Sequence, residues 1–249
     1  MSTLAQKTAI VVGASSGVGR ATAKRLVAAG ANVVAGARNA ERLDSLRVET
    51  SEQVRTVTAD ASESNIAERV LRETRPDLVV LALGVPPRMV AFDAMSWEQF
   101  SEPWNVDAKA AFHWTKSALK LPLAPGSSIV IMSSGAAIRG SPLSGGYAGA
   151  KRMQWLLASY AQREADARKL GIRTIALLPT QLIEGTKIGE GAATAYGAAQ
   201  GISASQFMSR YEQPLDVEKV ADAIVAALRG ELASGTAFGV SGKGVDLLP

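Results

Sequence analysis

Thr8-Ala9-Ile10-Val11-Val12-Gly13-Ala14-Ser15-Ser16-Gly17-Val18-Gly19 is the stretch from which the fold is read. A short run rich in β-branched residues stops at a glycine, and further glycines follow at 17 and 19, where a helical pattern begins. Continuous apolarity suits a strand covered on both faces. The glycines allow a tight turn and close backbone approach, and the helix behind them offers free N–H groups and the positive end of its dipole. A strand, a glycine turn and a helix in that order predict a dinucleotide site, with Gly13, Ser15, Ser16, Gly17, Val18 and Gly19 around a pyrophosphate.

The same rhythm runs outward from this unit. Strand-like segments at 8–12, 32–35, 54–58, 78–83, 128–132, 173–178 and 237–240 alternate with helical patterns at 17–29, 40–49, 63–74, 97–120, 147–170 and 216–232. That alternation predicts an α/β fold of Rossmann type, a doubly wound parallel sheet with helices on both faces. Gly30 and Gly171 are placed to end helices, Ser62 and Asp216 to cap their starts. The chain has no linker, repeat or low-complexity tail, and 249 residues that are 47% hydrophobic can bury one large core, so one domain over residues 1–249 is expected. The exception is 184–205, where five glycines lie among alanines and are expected to interrupt any regular element, giving a flexible substrate flap over about residues 184–212.

Composition narrows the partners. The 27 basic and 23 acidic side chains leave a net charge of only +4, dispersed along the chain, so nucleic acid is not an expected partner. The lack of cysteine excludes disulfides and thiolate metal sites and fits a cytoplasmic location. Residues 1–7 lack the apolar core of a signal peptide, and no run approaches the roughly 20 apolar residues of a membrane span. Glu184 and Glu190 have no partner at ligand spacing, so no metal is expected. His113, flanked by Phe112 and Trp114, reads as a packing or interface residue.

The second strand ends in Ala37-Arg38-Asn39, with no acid to accept hydrogen bonds from ribose hydroxyls. Arg38 there suits a 2′-phosphate, which favours NADP over NAD. Asp60 and Ala61, just past the third strand, are placed to bracket the adenine. Tyr147 and Lys151 lie four apart and share one helix face, where an ammonium beside a phenol is expected to lower the tyrosine pKa from its usual value of about 10. Upstream, Ile131-Met132-Ser133-Ser134 delivers a hydroxyl to the carboxyl edge of the sheet, where ligands of open α/β sheets bind.

Taken together, Gly13, Gly17 and Gly19, then Asn105 in Trp104-Asn105-Val106, then Ser134, Tyr147 and Lys151 resemble the single-domain short-chain dehydrogenase/reductase family from about Lys7 to Leu247. The resemblance implies a seven-stranded sheet of order 3-2-1-4-5-6-7 and, commonly, a homotetramer, with a homodimer as the other form. It implies oxidoreduction between a carbonyl (ketone, aldehyde or 3-oxoacyl) and an alcohol. In that scheme Tyr147 exchanges a proton with the substrate oxygen and Ser134 hydrogen-bonds that oxygen. Lys151 binds the nicotinamide ribose and Asn105 holds a water in the proton relay.

Two segments depart from the family pattern. Leu81-Ala82-Leu83-Gly84 stands where Asn-Asn-Ala-Gly is usual, keeping only Gly84 for the cofactor, and Pro179-Thr180 replaces Pro-Gly, with Leu182 and Pro179 expected at the nicotinamide. Thr186 falls late for the threonine that often meets the carboxamide. Two other functions compete: a regulatory family member that senses dinucleotide without turnover, and a nucleotide-dependent methyltransferase. The first is opposed by the complete catalytic set, the second by Arg38 and by the Ser134, Tyr147, Lys151 spacing. Pro86, Pro87, Met89, Ile138, Leu143 and Ile188 suggest an apolar substrate pocket.

Overall fold

A computed structural model describes residues 4–121, 123–232 and 236–249. The opening run becomes β1 (Thr8–Val12), followed by α1 (Gly17–Ala28), β2 (Asn32–Ala37), α2 (Ala40–Glu49), β3 (Val54–Thr58), α3 (Ser64–Thr74) and β4 (Leu78–Leu81). Then come α4 (Trp97–Pro103), a π turn (Trp104–Ala108), α5 (Lys109–Lys120), β5 (Ser128–Met132), α6 (Ala136–Arg139), α7 (Tyr147–Ala167) and β6 (Arg173–Pro179). The chain closes with β7 (Ile183–Glu184), α8 (Lys187–Ala199), α9 (Ala204–Met208), β8 (Leu215–Asp216), α10 (Val217–Arg229), β9 (Ala237–Ser241) and β10 (Gly244–Leu247).

The main sheet runs β10-β9-β6-β5-β4-β1-β2-β3. Its seven parallel strands stand in the expected order, with β9 as the seventh. The eighth strand was not expected. β10 lies antiparallel on β9, with Val245 opposite Val240, because the two-residue link Gly242-Lys243 is long enough only for a hairpin; a parallel return needs a crossover. The strands β7 and β8 form a separate parallel pair.

Alternate residues of each apolar run face opposite sides, which is why the strands are apolar throughout. Ala9 and Val11 pack with Leu26, Leu43, Leu46 and Ile224 under α1, α2 and α10. Ile10 and Val12 pack on the other face with Val70, Leu71, Trp114 and Ala158 under α3, α5 and α7. Each such fully buried aliphatic side chain contributes about 1.5–3 kcal/mol.

Local signals held in part. Asp216 caps α10, its carboxylate accepting from the Lys219 N–H at 2.8 Å. Gly30 and Gly171 take positive φ beyond α1 and α7. Ser62 does not cap α3: Glu63 holds that position, and the Ser62 hydroxyl donates to Asp60 instead. The glycine-rich segment after residue 184 is helical, contrary to expectation. Two of its glycines serve close contact: a Cβ at Gly189 would strike the Ile183 carbonyl, and one at Gly197 would lie 2.8 Å from the Ile202 oxygen, while Gly185 and Gly201 take positive φ on either side of α8. Among the described residues no helix is long and apolar enough to cross a membrane.

Candidate active site

At the carboxyl edge of the sheet, a cavity of about 580 Å³ runs from the turn after β1 past the ends of β2 and β4 to the starts of α7 and α8. The turn is set by sterics. Gly13 has φ +91°, and a Cβ there would lie 2.6 Å from the Ala82 carbonyl oxygen; a Cβ at Gly19 would strike the Gly13 carbonyl. The N–H groups of Gly13 and Ala14 donate to the Gly36 carbonyl at 2.8 and 3.2 Å, fixing the turn to β2. Ser15, Ser16, Gly17 and Val18 line the cavity at the start of α1, and the Ser16 side chain makes no capping bond. The first N–H groups of α1 are therefore left for a ligand.

At the far end of β2, Arg38 and Arg42 both border the cavity. Among the described residues no carboxylate forms an ion pair with either. Arg20, by contrast, is engaged: it donates to the Arg42 carbonyl at 2.8 Å, Ser45 Oγ at 3.0 Å and Glu49 Oε1 at 2.7 Å. Lys24 and Arg20 together hold the Glu49 carboxyl at about 2. Asp60 and Ala61 lie across from Arg38. The Asp60 carboxylate accepts from Ser62 N–H at 2.9 Å and Ser62 Oγ at 2.8 Å, which lowers its pKa, with a smaller contribution from the Arg38 charge. Sequence reasoning found Arg38 and missed Arg42, one helical turn further along the start of α2.

The deep end holds Ser134, Tyr147 and Lys151. Ser133 ties β5 to α7 by donating to the Lys151 carbonyl at 2.7 Å. Beside it, Ser134 opens into the cavity at the strand end, and its Oγ accepts from the Ala136 N–H at 3.2 Å. Tyr147 and Lys151 are 6% and 3% exposed. The ammonium lies 5.4 Å from the centre of the tyrosine ring and donates to the Leu83 carbonyl at 3.2 Å. Gly84 leaves it room, since a Cβ there would stand 3.1 Å from Nζ.

The fourth expected member is not brought to this cluster. Asn105 is exposed on the π turn, its amide 3.5 Å from Ser101 Oγ, and it does not line the cavity. Asp107 stands in its place: it is fully buried, its Oδ2 lies 3.1 Å from Lys151 Nζ, and its Oδ1 accepts from the Val85 N–H at 3.0 Å. The buried Gln154 amide donates to the Asp107 carbonyl at 3.3 Å. The reason is phase. Two residues apart on a helix point to opposite sides, and the buried stripe runs through Pro103, Asp107, Ala111, Trp114 and Ala118. A carboxylate on that stripe was the sequence signal for Asp107.

The electrostatics differ from the sequence expectation as well. Burial pushes the Tyr147 phenol above its usual pKa; the Lys151 charge and a hydrogen bond from Ser134 pull it down, while Asp107 and Tyr196 push it up. Burial presses on Lys151 too, but Asp107 and then Tyr147 more than offset it, so the ammonium is held above its ordinary value. Tyr196 comes from α8, where it stacks on Phe207 with ring centres 5.6 Å apart.

The end of β6 supplies the remaining wall. Pro179 and Leu182 line the cavity with Gln181. Thr180 turns away, its hydroxyl 3.2 Å from the Val240 carbonyl of β9. Thr186 caps α8 by accepting from the Gly189 N–H at 3.0 Å, and its methyl stands 3.5 Å from where a Gly17 Cβ would sit, so this wall closes against the glycine turn. Of the expected apolar lining, Pro86 and Ile188 border the cavity. His113 lies edge-on to Phe112 at 5.3 Å on α5.

Fold and site together define the class, an α/β oxidoreductase that works with a nicotinamide dinucleotide. Comparison with known proteins agrees with it. Residues 7–204 match the family model described as short chain dehydrogenase, and the chain belongs to that family. It is similar to L-xylulose reductase of Mesocricetus auratus, with 30% identity over 246 residues and 96% of each chain covered. It is also 30% identical over 186 residues to 2,5-dichloro-2,5-cyclohexadiene-1,4-diol dehydrogenase of Sphingobium indicum, covering 72% of this chain and 74% of that one. Among solved structures, NAD+-bound xylitol dehydrogenase superposes with a TM-score of 0.84 at 18% identity, covering 97% of this chain and all of the other. The chain is thus an oxidoreductase of alcohol and carbonyl groups.

Proposed function

We propose that this protein is an NADP(H)-dependent oxidoreductase that reduces a ketone, aldehyde or 3-oxoacyl carbonyl to an alcohol, or runs the reverse reaction, with Tyr147 as general acid and base. The observation that carries it is the meeting of Ser134, Tyr147 and Lys151 at one end of the cavity whose other end is the glycine turn. When bound, the nicotinamide supplies or accepts the hydride. The chain's own groups handle the proton and the oxygen. Ser134 hydrogen-bonds the substrate oxygen, Tyr147 gives it a proton in reduction and takes one in oxidation, and Lys151 orders the nicotinamide ribose.

The cradle fits a dinucleotide because glycines at 13 and 19 let the turn close on its own backbone, and α1 starts at Gly17 with no side-chain cap on its first N–H groups. In this reading Asp60, Ala61 and Gly84 meet the adenosine half, and Pro179 and Leu182 the nicotinamide. Preference for a 2′-phosphate is supported by Ala37 in the place of an acid and by two arginines, Arg38 and Arg42, that line the cavity. A homotetramer or homodimer belongs to the same reading, supported by exposed Trp97 (71%) and Phe112 (46%) on α4 and α5.

The direct test follows oxidation of NADPH and of NADH with a panel of ketones, aldehydes and 3-oxoacyl thioesters; turnover of none would overturn the reading. Arg38→Ala should weaken NADPH binding by about tenfold or more, equivalent to one charge-assisted hydrogen bond, and leave NADH nearly unchanged. Equal effects on both dinucleotides would remove the preference for NADP.

A further inference from the structure

Asp107 is a buried carboxylate that the proton chemistry above does not use. Neither its position nor its partners fit a surface ion pair. It has no exposed area, it reaches Lys151 from the π turn rather than from α7, and its second oxygen is fixed by the backbone of Val85. We propose that Asp107 is a positioning residue that holds and neutralises the Lys151 ammonium, so that Tyr147 rests as a protonated phenol and the site is built to donate a proton to a carbonyl. The proposal rests on the assignment of Tyr147 as acid and base.

The geometry gives the reason. A lone ammonium beside a phenol favours the phenolate. Here the same ammonium faces a carboxylate at 3.1 Å and the Leu83 carbonyl at 3.2 Å, while the tyrosine ring centre is 5.4 Å away. Opposite charges in contact partly cancel at a third group, so Lys151 keeps its place while Asp107 offsets part of its pull on Tyr147 and burial keeps the phenol protonated. The other groups facing this cluster do not restore it. Tyr196 from α8 opposes ionisation of Tyr147, Glu102 from α4 adds negative potential at Asp107, and only the Ser134 hydroxyl assists the phenolate.

In reduction the Tyr147 O–H bond breaks, its proton passes to the substrate oxygen as hydride reaches the carbonyl carbon, and the phenolate takes a proton back from solvent. A phenol that is reluctant to ionise starts that step in the right form and recovers it readily. Oxidation needs the phenolate at the start and is therefore confined to alkaline solution.

The test is a tyrosinate difference titration of the cofactor-free protein, wild type against Tyr147→Phe, with the same pair made on Asp107→Asn. Asparagine keeps an acceptor for the Val85 N–H and removes only the charge. The expected midpoint for Tyr147 is above about 10 in the wild type. It should fall by about one pH unit or more in Asp107→Asn. The pH profile of alcohol oxidation should shift to acid by the same amount. A wild-type midpoint at or below about 10, or a midpoint unmoved or raised in Asp107→Asn, overturns the proposal. Should Asp107→Asn not fold, the same titration pair made on Asp107→Ser, which also removes the charge, decides in its place. A shifted midpoint without turnover of any carbonyl would sink the proposed activity and leave the role of Asp107 standing; turnover with no shift would do the opposite.

Discussion

Tyr147→Phe is expected to lower turnover by about 10²–10⁴-fold while dinucleotide binding is kept, because one oxygen is removed and the ring that packs beside Lys151 stays. The phenol is the acid that opens onto the cavity beside Ser134, and 6% exposure leaves little room for a water to stand in. Steady-state kinetics with the best substrate of the carbonyl panel, together with fluorescence titration of the reduced dinucleotide, separates the two effects. Retained turnover in this variant would remove Tyr147 from the chemistry.

The second large effect is on stability. Lys151→Met strips the ammonium from a carboxylate with no exposed area, and breaking a buried pair on one side costs about 3–5 kcal/mol because the remaining charge is uncompensated. Replacing both partners, as in Asp107→Asn with Lys151→Met, should recover most of that loss. Urea denaturation of the three proteins measures it. The sign with pH follows from Asp107 itself: burial raises its carboxyl above the ordinary value, so in Lys151→Met the penalty is full at neutral pH and shrinks as the pH falls and the carboxyl takes up a proton. A single variant as stable as the wild type at neutral pH would mean that the pair is not ionised.

Much of this was legible from particular residues. The strand pattern pointed to a parallel sheet, because runs such as Ile129-Val130-Ile131 can be satisfied only with both faces covered, while the strand order followed from the family resemblance. Gly13 and Gly19 read correctly as places of close approach, and Ser134, Tyr147 and Lys151 do share one cavity. What failed has physical reasons. Glycines beyond residue 184 were expected to break structure, yet Gly189 and Gly197 lie within α8 and let it meet neighbouring backbone, and composition alone does not separate the two uses. Asn105 matched a motif in the linear text but lies off the buried stripe, which helical periodicity would have revealed had it been laid over residues 97–120. Arg42 reaches the cavity, and Tyr196 the surroundings of Tyr147, only through tertiary packing. The antiparallel β10 was hidden because Gly244–Leu247 is only four residues long, too short for its alternation to stand out.

The π turn at Trp104–Ala108 has a consequence for how this region tolerates length changes. A π turn is an α-helix carrying one surplus residue, so α4 and α5 are out of step by about 100° relative to an uninterrupted helix. Deleting a single residue from the turn would allow a regular helix to form and would rotate everything on one side of it. Either Asp107 leaves Lys151, or Trp97 and Phe100, stacked with ring centres 5.7 Å apart, swing around the outside. The outer aromatic face and the buried carboxylate are thus geared together, and an insertion or deletion that is harmless in a loop is not harmless here.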